Sequence, residues 1–169
     1  MEEIQSMTLH SGIVRLVTSI AIAVLAVLVP AGHSHADPSP FDTLLGSWGG
    51  SGEIRLDQGR MERIKCNAYY TGGGAELGLA IRCASESYKI EIRSKLSYSG
   101  GRLSGNWEER TFNAQGNATG TATPNKITLS ISGGVSGTMV VSYSKSRQNV
   151  SISTQGVALK SVSIALGRS

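Results

Sequence analysis

Few side chains in this chain are equipped for chemistry. Its only two cysteines are Cys66 and Cys83. A Cys-x-x-Cys redox pair needs far closer spacing, so they read as a structural disulfide. Glu108 and Glu109 are adjacent. On a strand, neighbours point to opposite faces and cannot work as an acid–base dyad. Ser142-Tyr143-Ser144-Lys145 has Ser-x-x-Lys spacing. That pairing needs a helical turn to bring nucleophile and base together, and on a strand the two diverge. The glycine-rich stretches at 49–52 and 72–74 precede strands rather than helices, so they make poor phosphate cradles. Asn117-Ala118-Thr119 and Asn149-Val150-Ser151 are glycan acceptors only on a eukaryotic secretory route. The three histidines, His10, His33 and His35, all precede residue 37. Without them no His-dependent nucleophile, base or metal site can form in the remainder, and neither catalysis nor a cofactor nor a metal is expected.

The first 36 residues read as a cleaved signal peptide. Ile13 to Val29 is apolar apart from Arg15, Thr18 and Ser19, and Pro30 and Gly32 break the run. Ser34 and Ala36 supply small residues at −3 and −1 of a cleavage site before Asp37. Glu2 and Glu3 do not suit a leader's start, so Met7 competes with Met1 as the first residue. The uninterrupted apolar run after Ser19 falls short of the ~20 residues of a bilayer span, so no stable membrane insertion is expected after cleavage. The compartment is then periplasmic or secreted, where two cysteines normally pair. The whole chain carries a net charge of +4. Its basic residues are scattered singly, as at Arg55, Arg63, Arg82 and Arg93. Nucleic-acid binding would need a basic cluster with interleaved aromatics.

Past the leader, 37–47 reads as an extended segment opening with Asp37-Pro38-Ser39-Pro40, and 48–169 as one domain. Short alternating runs separated by Gly, Asn, Asp or Pro predict an all-β fold. Ten strands are expected, at about 48–56, 61–71, 77–84, 88–98, 102–111, 117–123, 126–132, 137–144, 148–155 and 159–167. Tyr88 to Tyr98 is the clearest, with Ile90, Ile92 and Leu96 on one face and Lys89, Glu91, Arg93 and Lys95 on the other. A turn at Gly100-Gly101 sets Tyr98, Leu96 and Ser94 against Leu103, Gly105 and Trp107, and places Glu109 opposite Ile92 on the inward face. A turn at Pro124-Asn125 sets Ala122, Gly120 and Ala118 against Ile127, Leu129 and Ile131. A turn at Ser146-Arg147 sets Tyr143, Val141 and Met139 against Val150, Ile152 and Thr154. A turn centred on Gly74-Ala75 puts Cys66 opposite Cys83, close enough for a cross-strand disulfide. Short connections make neighbours antiparallel, and a ten-strand meander protects its edges by closing into an up-and-down barrel. The inward faces are apolar, the reverse of an outer-membrane barrel. A two-sheet β-sandwich is the alternative.

Gly46-Ser47-Trp48 opens the first strand. A Gly-x-Trp opening resembles that of lipocalin-like (calycin) barrels, where the Trp plugs the closed end. Glu62 to Cys66, Arg82 to Tyr88, Leu103 to Glu108 and Val162 to Leu166 resemble a family of small exported proteins from alphaproteobacteria. That resemblance implies a bacterial envelope setting and supplies no catalytic residues. The expected function is non-catalytic binding of a small apolar or amphipathic, lipid-like ligand in the lumen. Trp48, Tyr70, Tyr88, Tyr98, Trp107, Glu109 and Tyr143 are the candidate lumen residues. A buried carboxylate needs a partner, so Glu109 is expected at the barrel rim. Two rival functions stand beside this one. The chain also resembles bacterial inhibitors of secreted metalloproteases, which implies a protein partner entered by Asp37 to Thr43. The other rival is a structural protein of the envelope.

Overall fold

The computed structural model describes residues 39–169. The expected leader, its start at Met1 or Met7, and Asp37-Pro38 lie outside the described residues. Ten strands follow in chain order: β1 Gly46–Leu56, β2 Met61–Gly73, β3 Glu76–Ala84, β4 Lys89–Ser99, β5 Arg102–Glu109, β6 Ala114–Thr123, β7 Lys126–Gly133, β8 Ser136–Tyr143, β9 Arg147–Gln155 and β10 Leu159–Arg168. The only helical element among the described residues is a 3₁₀ turn at Asp57–Gly59. Every strand pairs antiparallel with its chain neighbours, and β10 pairs with β1 to close the barrel. A sandwich would leave edge strands, and closure leaves none. Among the described residues no helix is long and apolar enough to cross a membrane.

The expected hairpin registers hold between β4 and β5, with Ser94 opposite Trp107 and Ile92 opposite Glu109. They also hold between β6 and β7. Cys66 lies opposite Cys83, their Cα atoms are 4.1 Å apart, and the sulfurs are bonded. The β8–β9 register differs from expectation by two residues. Tyr143 faces Gln148, Val141 faces Val150 and Met139 faces Ile152. A two-residue slip keeps every inward residue inward, so face matching alone could not exclude it. The turn decides: Ser144 N–H donates to Arg147 O (2.8 Å), and Arg147 N–H to Ser144 Oγ (3.2 Å), closing it over Lys145-Ser146.

The described part of the expected extended segment, from Ser39 on, is not a free arm. Pro40–Leu44 forms a turn, and Phe41 and Leu44 are wholly buried in one end of the barrel. Phe41 packs edge-on against Tyr98, with centroids 5.7 Å apart. Tyr143 Oη donates to Pro40 O at 2.7 Å. Trp48 Nε1 donates to Leu44 O at 2.8 Å. Over the Trp48 ring lies the Arg168 guanidinium, 4.3 Å from the centroid. It donates to the carbonyls of Lys145 (2.9 Å), Leu45 (2.8 Å) and Thr43. Arg168 therefore ties the plug, the end of β10 and the β8–β9 turn into one lid.

Glycines bend the wall inward. A Cβ on Gly105 would lie 1.9 Å from Lys95 O, and one on Gly120 1.9 Å from Thr128 O. Both point inward by parity, next to Leu96, Leu103 and Leu129. Backbone of adjacent strands can approach this closely only where no side chain intervenes, and such glycines let strands coil tightly enough to close.

Candidate functional site

The plug fills one half of the lumen and the other half is hollow. Phe41, Leu44, Trp48, Tyr70, Leu77 and Leu96 are all buried at the plugged end. Beyond them lies a cavity of about 330 Å³. Ligand pockets run from ~300 to ~1,000 Å³, so this one suits a small molecule. Its walls are the inward side chains of the opposite strand ends, among them Ile54, Ile92, Leu129, Met139 and Val162. Its mouth is formed by Phe112, Val135, Val157 and Ala158 from the connecting loops. Phe112 is 61% exposed although it also lines the cavity. A larger hollow of about 780 Å³ lies on the outer face of β2 to β6, lined by Tyr69, Arg93, Lys95 and Asn117. It follows the curvature of the wall, mixes polar and apolar groups, and is open to solvent.

The candidate residues divide between the two halves. Tyr88, Trp107 and Glu109 line the cavity. Trp48, Tyr70, Tyr98 and Tyr143 are absent from its walls and pack in or around the plug. Inward parity was common to all seven; depth along the barrel axis separates them, and parity carries no information about depth.

Trp107 forms one wall. Opposite it on β6 is Gly116. With no side chain there, the indole reaches over β6, and Nε1 donates to Ser132 O on β7 at 3.1 Å. Ser94, facing Trp107 from β4, donates its hydroxyl to Asn106 O at 2.6 Å. Thr154 Oγ1 donates to Leu159 O. Glu109 ends β5 at the mouth and is half-buried. Its Oε1 accepts the Glu91 N–H (2.8 Å), and its Oε2 accepts the Phe112 N–H (2.6 Å). Glu109 thus stays at the rim and fixes the loop that carries Phe112, whose neighbour Asn113 has a positive φ of 54°.

Outside the wall, Glu91 gathers the nearby cations. Arg93 binds its Oε1 through two nitrogens (2.9 and 2.7 Å), and Arg82 and Arg110 approach to 3.4 and 3.7 Å. The Arg93 hydrogen bonds hold the Glu91 carboxyl below the usual carboxylate range. At the plugged end, Tyr70 Oη accepts Gln148 Nε2 at 2.6 Å, and burial pushes the Tyr70 pKa up. Gln148 is 1% exposed, and its Oε1 has no partner among the described residues. Burial pushes Tyr143 up to about 12. Among the described residues no three metal-ligating side chains converge.

Three of these residues are weakly marked in the sequence. Phe112 falls just past the expected end of the fifth strand, and a lone aromatic between Thr111 and Asn113 was its only mark. Arg168 is a single basic residue at the chain's end. Gln148 reads as polar, yet shares inward parity with Val150 and Ile152.

No family model and no curated protein matches the chain. Solved structures do match in fold. The structure of Rv2717c from M. tuberculosis superposes with a TM-score of 0.62 at 16% identity, over 76% of this chain and 94% of that one. The S-type phycobiliprotein lyase CPES from Guillardia theta superposes with a TM-score of 0.50 at 13% identity, over 76% and 89%. These likenesses and the closed ten-strand meander fit a calycin-like fold.

Proposed function

We propose that this protein is a non-catalytic carrier or scavenger that holds one small, largely apolar molecule in the open half of its barrel. The observation that carries the reading is the apolar cavity of about 330 Å³, which opens between loops bearing Phe112 and Val157. Burying the apolar surface of a ligand there contributes roughly 25 cal/mol per Å² before the costs of immobilisation. Export to the periplasm or beyond fits the sequence of the leader and the paired cysteines, as does the resemblance to small exported alphaproteobacterial proteins. One solved structure that the chain resembles is a phycobiliprotein lyase. Its barrel is consistent with a binding role for this architecture. The protease-inhibitor reading needs Asp37 to Thr43 as a free arm. Phe41 is wholly buried and Pro40 O is bonded to Tyr143, so that reading loses support.

The test uses the neutral apolar dye N-phenyl-1-naphthylamine. Saturable binding at one site is expected, with quenching of Trp107 fluorescence that a Trp107→Phe variant abolishes. Ala118→Phe, which projects a ring into the hollow from β6, should remove binding while far-UV circular dichroism stays unchanged. Binding undiminished in a folded Ala118→Phe protein would place the ligand elsewhere and overturn the reading.

A further inference from the structure

We infer that the ligand is a single-chain amphiphile whose head group is a hydrogen-bond donor, with an ammonium favoured over a hydroxyl and a carboxylate rejected. This rests on the cavity being the binding site. The polar groups in its walls are already occupied. Ser94, Trp107 and Thr154 each donate to a backbone carbonyl. Their donors are spent and the exposed lining is almost wholly apolar, so hydrocarbon rather than a polar head enters first. At roughly 30 Å³ per water-sized group, a cavity of about 330 Å³ takes a chain of about ten carbons.

The head then rests at the mouth, beside Glu109. Of the described residues lining the cavity, Glu109 alone carries a charge. Its two oxygens accept one backbone N–H each, and a carboxylate has about four acceptor positions, so acceptor capacity is left over. Among the described residues no cation is paired with it, whereas Arg60, Arg110 and Lys160 near the mouth lie beside other carboxylates, Arg110 sharing Glu91 with Arg82 and Arg93. Arg60 lies 3.8 Å from Glu62, Arg110 lies 3.7 Å from Glu91, and Lys160 lies 2.7 Å from Asp57. Arg60 also donates to Tyr88 Oη at 3.0 Å in an exposed contact. An ammonium at the mouth would supply the missing cation. A carboxylate there would face like charge in a half-desolvated setting, which is disfavoured.

The experiment compares decylamine, 1-decanol and decanoate as competitors of the bound dye at pH 7. Decylamine should bind about tenfold or more tightly than decanoate, with decanol between them. Glu109→Gln should shrink the amine–carboxylate gap to less than about threefold. Should Glu109→Gln loosen the fold, the wild-type series decides alone. Decanoate binding as tightly as decylamine to the wild-type protein would overturn the inference while the dye still marks a working cavity. If the dye and all three chains fail to bind, the cavity reading falls and takes this inference with it.

Discussion

At the scale of single residues, the inward face of this barrel is chemically quiet and the exceptions carry the consequences. The Cys66–Cys83 bond lies within the core, with both side chains at least 94% buried. Its entropic effect on the unfolded chain is about 3 kcal/mol for a loop of this size. Replacing both cysteines with alanine should lower the unfolding free energy by about that amount in urea titration, with the dye site retained. Tyr143 is one residue whose burial makes the fold sensitive to alkali. Its folded pKa of about 12 exceeds the unfolded value near 10. A raised folded pKa means that its contribution is complete below about pH 10 and is lost as pH rises through about 12. Tyr70 is shifted the same way by burial. Ultraviolet titration should therefore show Tyr70 and Tyr143 ionising only as the barrel unfolds. Tyr143→Phe should delay that transition to higher pH.

At the scale of elements, the strands are defined by alternation and the barrel by what interrupts it. Gly105 permits backbone contact that a methyl group would prevent, because the obstructing atom is the rigid Lys95 carbonyl oxygen at 1.9 Å. Gly105→Ala should cost about 2–3 kcal/mol. Gly167 meets nothing within 4 Å of a built Cβ, so Gly167→Ala should change stability by less than about 0.5 kcal/mol. The contrast, measured by thermal melts, tests close approach rather than loss of glycine as such. Arg168 binds three carbonyls and stacks on Trp48, a geometry that suits a planar fork and not a point charge. Arg168→Lys should therefore destabilise the lid by about 1–2 kcal/mol, visible as a changed Trp48 emission.

At the scale of the molecule, the two ends of the described chain meet. β1 holds β10 on one side and β2 on the other, so the barrel closes only when the last strand docks. Ending the chain before Leu159 would leave β1 and β9 as open edges. Such a truncation should aggregate, and sedimentation of the soluble fraction would reveal it. The same closure makes one end of the barrel different from the other. The plug of Phe41 and Leu44 consumes lumen that ten strands would otherwise leave empty, and the cavity is what remains.

Ten strands, their inward faces, the Cys66–Cys83 pairing and the hairpin across Gly100-Gly101 were all legible in the sequence. Each depends on period-two alternation and local turns, which act between residues near in sequence. The β8–β9 register was not, since a two-residue slip preserves every face and only the hydrogen bonds of Ser144 break the tie. Nor was the burial of Pro40, Phe41 and Leu44, because a short segment with two apolar side chains looks extended until a barrel end exists to receive it. The division of the seven candidate residues into Tyr88, Trp107 and Glu109 at the cavity and Trp48, Tyr70, Tyr98 and Tyr143 at the plug followed the same rule. Which side of a strand a residue faces is a local property. How deep in the barrel it sits, and whether space remains beside it, depends on strand stagger and on side chains contributed by every other strand, so only the tertiary structure could decide it.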